Sequence, residues 1–190
     1  MKIIKPNKIG VAVAIKVLRA GGVVVYPTDT AYALGGIFNS PKVIVKVLKI
    51  KKRSDRKFTL VAASLYQVEK FFKLNQPEKK LARKFWPGPL SIAVSAQFAV
   101  RVPKDKIARE LARGAGRPLI ATSANLTGGQ TYYDSEKIIK QFIDKKFQPD
   151  LVVNAGKLSH KKTSTIVKVS GSKIEIVRSG AVSRQKIYQL

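Results

Sequence analysis

Residues 21–35 read GGVVVYPTDTAYALG, and this stretch sets the interpretation of the rest of the chain. Its two glycines end a helix that apolar spacing predicts over residues 9–20. Val23–Tyr26 follows as a buried strand. Pro27–Thr30 then forms a polar turn, which is typical of a strand end. Ligands of open α/β sheets bind outside such ends, so this turn is a first candidate site.

Outward from this stretch, strands and helices are mixed along the chain without strict alternation. We therefore expect one α/β domain over residues 1–190, with a single twisted sheet of parallel and antiparallel strands and flanking helices. Ser40 and Pro41 predict a capped helix start, and Gly114 is expected just past the end of the helix over 105–113. The further predicted helices are 41–50, 65–73, 78–85, 136–145 and 183–188. The further predicted strands are 59–63, 90–94, 98–102, 119–122, 151–154, 165–169 and 174–177.

The charge is the most unusual property of the composition. Lys and Arg number 37 and Asp and Glu 11, which gives a net charge of +26. Such a field attracts polyanions, including nucleotides and RNA, although a general lysine bias on solvated surfaces explains most of these residues equally well. The absence of cysteine excludes disulfides. No apolar run reaches the ~18 residues of a membrane span, and the first residues do not form a secretory signal, so we expect a cytoplasmic protein that does not enter a membrane.

Several common catalytic arrangements are excluded by the sequence. His160 is the only histidine and lies in a lysine-rich stretch, so no Ser-His-Asp set and no HExxH motif can form. Neither GxxxxGK[ST] nor GxGxxG occurs. We expect no protein-ligated metal, because no cluster of ligand side chains is apparent. An enzyme with this sequence must work by holding anions with cations and hydroxyl groups.

The cations of residues 51–53, KKR, follow a predicted helix. Lysine and arginine at a helix end complement the helix dipole, but a lysine beside an arginine also suits a triphosphate. If the chain leaves the helix in extended form, Lys51 and Arg53 point the same way and Lys52 points to solvent.

Two hydroxyl-bearing segments complete the candidate site. Thr122, Ser123 and Asn125 follow a predicted strand, where such side chains bind phosphate or a small zwitterion. They are also common as helix caps and Asx turns. Thr163–Thr165 is a second hydroxyl cluster, and such residues are frequent in edge strands.

Taken in order, these segments resemble the YrdC-like family, whose best-known members are threonylcarbamoyl-AMP synthases. The resemblance rests on seven pieces that together cover the chain from about residue 21. They are GGVVVYPTDTAYALG at 21–35, KKR at 51–53, WPGPLSIAV at 86–94, AVRVP at 99–103, PLIATSANLTG at 118–128, STIV at 164–167 and VRSGAV at 177–182.

The resemblance implies a fold with a central positive cavity and a reaction of L-threonine, bicarbonate and ATP that yields threonylcarbamoyl-AMP and pyrophosphate for modification of tRNA position 37. Mg²⁺ is expected with ATP, and the downstream tRNA threonylcarbamoyl-transferase machinery is the expected partner. The implied substrate-binding residues are Thr28, Tyr32, Arg101, Thr122 and Ser164, of which Thr28, Tyr32 and Arg101 form the threonine pocket. The implied catalytic and nucleotide-binding residues are Lys51, Arg53, Ser123 and Asn125, with Arg178 also near the nucleotide.

The sequence departs from the family pattern at several positions. Ala33 replaces a usual glycine, and Lys168 replaces the usual aspartate after STIV. The segment between Pro89 and Arg101 is shorter than usual, which affects the adenine end of the expected site. Two alternatives remain at this point: a YrdC-like protein that handles a different carbamoyl-adenylate, and a non-enzymatic, double-stranded-RNA-binding module. Weak, non-specific RNA binding is expected in either case, from charge alone.

Overall fold

The structure is a computed structural model that describes residues 1–189 and contains helices and strands in mixed order. The helices are α1 Lys8–Arg19, α2 Pro41–Lys51, α3 Leu65–Glu69, α4 Gln76–Phe85, α5 Lys106–Ala115, α6 Ser135–Phe142 and α7 Arg184–Tyr188. The strands are β1 Lys2–Ile4, β2 Val24–Tyr26, β3 Ala33–Gly35, β4 Phe58–Val61, β5 Leu90–Ala93, β6 Phe98–Arg101, β7 Leu119–Ile120, β8 Thr122–Ser123, β9 Leu151–Val153, β10 Thr165–Ser170 and β11 Lys173–Arg178.

The strands form two mixed sheets. The first has the order β1-β9-β2-β3-β8 and the second the order β11-β10-β5-β6-β4-β7. Both contain parallel and antiparallel pairs, so the predicted α/β class with mixed strands and flanking helices is confirmed. The prediction of a single sheet is wrong, because the strands form two sheets. The chain passes from one sheet to the other where one continuous strand was expected.

That change occurs between residues 119 and 123. β7 pairs with β4 of the second sheet, and β8 pairs with β3 of the first. The two sheets approach closely here, since a Cβ on Gly35 would lie 1.8 Å from the carbonyl oxygen of Ile120. Only glycine fits at this contact. The crossing places Thr122 and Ser123 at the junction of the two sheets.

Helix α1 packs against α5, and a glycine makes their close contact possible. A Cβ on Gly114 would lie 2.3 Å from the Ile15 side chain of α1. The expectation that Gly114 stands past the helix end is therefore wrong. The helix continues to Ala115, and Gly116, with a φ of 73°, forms the left-handed cap.

The start of α2 confirms the prediction from Ser40 and Pro41. The Ser40 side chain accepts a hydrogen bond from the Val43 amide, and Pro41 occupies the first helical position. The helix ends at Lys51, and Lys52 adopts a left-handed conformation with a φ of 52°. None of the helices within residues 1–189 is long and apolar enough to cross a membrane.

Candidate active site

A cavity of about 980 Å³ opens between the two sheets, and it is lined by residues from most of the segments that the sequence singled out. The volume is in the range that small-molecule sites occupy. Of the predicted site residues, the lining includes Thr28, Tyr32, Arg53, Arg101, Thr122, Ser123, Ser164 and Arg178. Lys51 and Asn125 are not among the lining residues of the described chain and lie directly behind Ser123.

The turn after β2 is closed by its own hydroxyl groups. The Thr28 Oγ1 donates to the Ala31 carbonyl at 2.6 Å and lies 3.1 Å from the Thr30 Oγ1. Arg101 reaches this turn from β6 and donates from Nη2 to the Thr30 Oγ1 at 3.0 Å. These local hydrogen bonds hold the polar side chains of the turn close together at the carboxyl end of β2.

Arg101 also forms a buried ion pair with Asp29. Its Nη1 donates to the Asp29 carboxylate, and the two side chains are only 4% and 8% exposed. Asp29 further accepts a hydrogen bond from the Lys104 amide at 3.0 Å. The Arg101 Nε is buried and has no hydrogen-bond partner within residues 1–189. Arg101 therefore combines a structural contact with donor capacity that the described chain does not fully use.

The hydroxyl group of Tyr32 is fixed by hydrogen bonds to the backbone of residues 155–156. That hydroxyl donates to the Gly156 carbonyl at 2.8 Å and accepts from the Ala155 amide at 3.0 Å. Burial, more than any other cause, raises the pKa of Tyr32, so the hydroxyl stays protonated. Its ring can then act as a wall of the cavity, while its polar end holds the 155–156 turn.

Lys51 is buried and serves as a donor to the segment that carries Ser123 and Asn125. Its Nζ lies 2.7 Å from the Ser123 carbonyl, 2.5 Å from the Asn125 carbonyl and 2.8 Å from the Asn125 Oδ1. The extended exit that would align Lys51 with Arg53 does not occur, because Lys51 is the last helical residue and Lys52 is left-handed. Lys51 and Arg53 consequently point to different surroundings.

Arg53 lies in the cavity wall with its guanidinium stacked over Phe58, 4.8 Å from the ring centroid. Its Nε donates to the Asp55 carbonyl at 2.7 Å and its Nη2 to the Lys57 carbonyl at 2.5 Å. These bonds fix the guanidinium plane at the edge of the cavity. A planar, always charged group held in this way suits a phosphate.

Ser123 and Asn125 are coupled to each other as well as to Lys51. The Ser123 Oγ donates to the Asn125 Oδ1 at 2.5 Å, and the Asn125 Nδ2 donates to the Gly129 carbonyl at 2.5 Å. Thr122 and Ser123 line the cavity, whereas Asn125 is buried. The asparagine thus orients the serine hydroxyl from behind, which its sequence position alone did not reveal.

Ser164 and Arg178 form a third polar group on the opposite side. Arg178 donates from Nη2 to the Ser164 carbonyl at 2.7 Å and to its Oγ at 2.9 Å. The Ser164 Oγ also lies 3.0 Å from the Oγ of the fully buried Ser91. Burial, and after it the nearby charge of Arg101, lower the pKa of Arg178.

The charge of the cavity lining is strongly positive. Among the described lining residues the cations are Arg53, Lys57, Arg101, Lys168 and Arg178. The one acidic residue of that lining, Glu78, accepts a hydrogen bond from the Asn75 amide in the capping box of α4. The cations thus face a shared cavity as well as the outer surface, and this arrangement favours a small polyanionic ligand.

Several residues of this site, among them Asp29, Lys57, Lys168 and Ser91, were not in the predicted set. Asp29 lies within the PTDT turn and was recognisable as an acid next to a candidate segment, but its pairing with Arg101 was not. Lys57 and Lys168 are cations of the lining, and the sequence marked only Lys168, as a departure from the family pattern. In the sequence, Ser91 is recognisable only as a polar residue within an apolar strand.

A metal ion would have few protein ligands here. Within residues 1–189, no group of three or more His, Cys, Asp or Glu side chains is placed to hold one. Asp29, the carboxylate beside the cavity, is occupied by Arg101 and the Lys104 amide. The described side chains therefore offer a metal ion few free carboxylate oxygens.

Lys51 gives a testable pH dependence of stability. Burial, with a smaller contribution from Arg53, lowers its pKa from 10.5 to about 8. Between these values the unfolded chain binds a proton that the folded chain has lost, so raising the pH favours the folded state. Compared with Lys51→Met, the wild-type protein should gain about 2 kcal/mol of unfolding free energy between roughly pH 7 and pH 9.5. Urea unfolding of both proteins at both pH values measures this, and a constant difference would contradict it.

Comparison with known proteins gives a consistent result at the level of family. The family model Sua5_yciO_yrdC, described as telomere recombination, matches residues 16–180. A protein named putative threonylcarbamoyl-AMP synthase from Methanocaldococcus jannaschii is 31% identical over 184 residues, which cover 90% of this chain and 86% of the relative. The family match therefore extends over most of the chain.

Solved structures show the same fold. P. abyssi Sua5 complexed with L-threonine superposes with a TM-score of 0.86 at 24% identity and covers 99% of this chain. This chain spans only 59% of the length of that Sua5 chain. E. coli YciO superposes with a TM-score of 0.83 at 25% identity, and the match covers 98% of both chains.

Proposed function

Because the family match covers residues 16–180, the chain belongs to the Sua5/YciO/YrdC family, and we propose that it forms threonylcarbamoyl-AMP and pyrophosphate from L-threonine, bicarbonate and ATP. The product serves the N6-threonylcarbamoyladenosine modification of tRNA position 37, and this role places the enzyme in the cytoplasm. The tRNA threonylcarbamoyl-transferase machinery is its downstream partner.

One observation carries this proposal: cations and hydroxyl groups from three separate segments line one cavity. Arg53 follows α2, Arg101 ends β6 and Arg178 ends β11, and all three line it. Scattered surface cations would serve a solvated surface or a nucleic acid. Convergence in a concave site of about 980 Å³ instead supports a ligand of nucleotide size.

The proposed chemistry needs no enzyme nucleophile. The threonine amine and bicarbonate give a carbamate with loss of water, and a carbamate oxygen then attacks the α-phosphorus of ATP. The bond between the α-phosphorus and the bridging oxygen breaks, and pyrophosphate leaves with the electron pair. A site of fixed cations and hydroxyl groups contributes by positioning the reactants and by stabilising charge on the phosphates.

The roles of the residues follow their positions. Thr28, Tyr32 and Arg101 lie together at the end of β2, and we assign the threonine to this end, with the Arg101 guanidinium nearest its carboxylate. Arg53 and Arg178 bind the phosphates, as do Thr122, Ser123 and Ser164. Lys51 and Asn125 keep Ser123 in place from behind. Mg²⁺ enters with ATP and is held by phosphate oxygens.

Threonine dependence is the first test. Pyrophosphate release from ATP in the presence of Mg²⁺ and bicarbonate should require L-threonine. Serine should support slower release, because one methyl group contributes only about 1–3 kcal/mol to discrimination. Equal release with serine, with glycine or without any amino acid would contradict the assignment of threonine.

A non-enzymatic RNA-binding module is a second candidate, because the net charge of +26 attracts RNA. The RNA-binding module and the enzyme predict different RNA-binding behaviour. Binding that comes from charge alone should weaken steeply as salt increases and should not distinguish one RNA from another. Affinity for one tRNA that persists at high salt, without pyrophosphate release, would favour the module.

A further inference from the structure

The floor of the cavity is a row of small side chains on the second sheet. In the register of adjacent strands, Ala93 of β5 pairs with Ala99 of β6, and Ala99 pairs with Thr59 of β4. Val167 pairs with Ile92, so Lys168 lies beside Ala93 and continues this row to β10. All four residues line the cavity. Adjacent strands are about 4.8 Å apart, so the row from Lys168 to Thr59 spans roughly 14 Å.

Cations stand at both ends of this row. Arg53 and Lys57 lie just before β4 at one end, and Lys168 and Arg178 lie on the β10–β11 hairpin at the other. Small side chains between them leave the floor open. A single carboxylate can contact only one end, whereas an elongated polyanion can lie along the floor and meet both.

Lys168 is available for such a contact. Alternation places Thr165 and Val167 in the core on one side of β10 and Lys168 on the other. The ion pairs within residues 1–189 join Lys46 to Asp150, Lys79 to Glu69 and Arg101 to Asp29, so Lys168 takes part in none. Even Glu175, its cross-strand neighbour, forms no ion pair with it.

We propose that Lys168 binds the phosphate chain of the nucleotide. This inference rests on the proposed function and adds a residue to it. Lys168 closes the β10 end of the floor, opposite the cations that precede β4. Its effect falls on phosphate binding, and the threonine end near Arg101 is unaffected.

The test measures binding of three probes by calorimetry at fixed ionic strength: ATP, inorganic tripolyphosphate and adenosine. Lys168→Ala should weaken binding of ATP and of tripolyphosphate about five- to tenfold, and Lys168→Glu should weaken it further. Binding of adenosine should not change. The matched control is Lys173→Ala, which removes an exposed cation from the same hairpin outside the cavity lining and should leave all three affinities unchanged.

The outcomes separate this inference from the function on which it rests. Equal affinities for the wild-type protein and Lys168→Ala, or equal losses in Lys168→Ala and Lys173→Ala, would overturn the role of Lys168 and leave the nucleotide site intact. A wild-type protein that binds neither ATP nor tripolyphosphate would overturn both. Thermal melting of each variant verifies that it is folded.

Discussion

Replacing Arg101 with glutamine is expected to stop threonine-dependent pyrophosphate release and to lower the free energy of unfolding by about 3–5 kcal/mol. The stability loss follows from burial. Asp29 and Arg101 are 8% and 4% exposed, so the substitution leaves a buried carboxylate without its counter-charge. The activity loss follows from position, since Arg101 lines the cavity beside Thr28 and Thr30.

A second variant separates these two effects. Asp29→Asn combined with Arg101→Gln removes both charges and retains polar groups that can bond to each other. Its stability loss should be clearly smaller than the sum of the two single losses, because each single substitution strands one buried charge. Its activity should stay absent, because the cation proposed to meet the threonine carboxylate is still missing.

Three measurements decide this prediction: urea unfolding, pyrophosphate release and threonine binding for each variant. Arg113→Ala is the control, because Arg113 is exposed on α5, and its effect on stability should be within about 0.5 kcal/mol. If the double variant regains both stability and activity, Arg101 supports the fold alone and the threonine assignment is wrong.

Local patterns predicted most of the elements of this fold. Ser40 with Pro41 predicted the start of α2, and the apolar run before Pro27 predicted β2, because caps and buried strands depend on neighbouring residues. The pairing of strands depends on residues far apart in the chain. The change of sheet at residues 119–123 is such a case, since it requires the close contact of Gly35 with Ile120. No pattern within either segment indicates it.

The candidate site, too, could be predicted from the sequence only in part. Residue types indicated that anions are held by cations and hydroxyl groups, and the cavity lining contains both. Sequence could not distinguish a cation that faces the cavity from one that faces the protein. Lys51 and Arg53 are two residues apart, yet the left-handed Lys52 between them turns the chain and separates their surroundings. The backbone conformation of one residue thus determines which of the two cations lines the cavity.

Lys51→Ala, Arg53→Ala and Lys52→Ala should consequently differ although each removes one positive charge. Lys51→Ala leaves the carbonyl oxygens of Ser123 and Asn125 without their buried donor. Ser123 then loses its position, and we expect kcat to fall by roughly one to two decades, since a charged hydrogen bond contributes about 1.5–3 kcal/mol. Lys52 is exposed, and its replacement should leave the activity nearly intact.

Arg53→Ala should show a different kinetic signature from Lys51→Ala. Arg53 lies in the cavity wall, so its loss should raise KM for ATP by a similar one to two decades. Lys51 acts through Ser123 and Asn125, so its loss should appear mainly in kcat. Steady-state pyrophosphate release at varied ATP measures both constants, with thermal melting as the check on folding. Equal effects from all three substitutions would mean that only net charge matters. A rise in KM alone for Lys51→Ala would instead place its ammonium group directly on a phosphate.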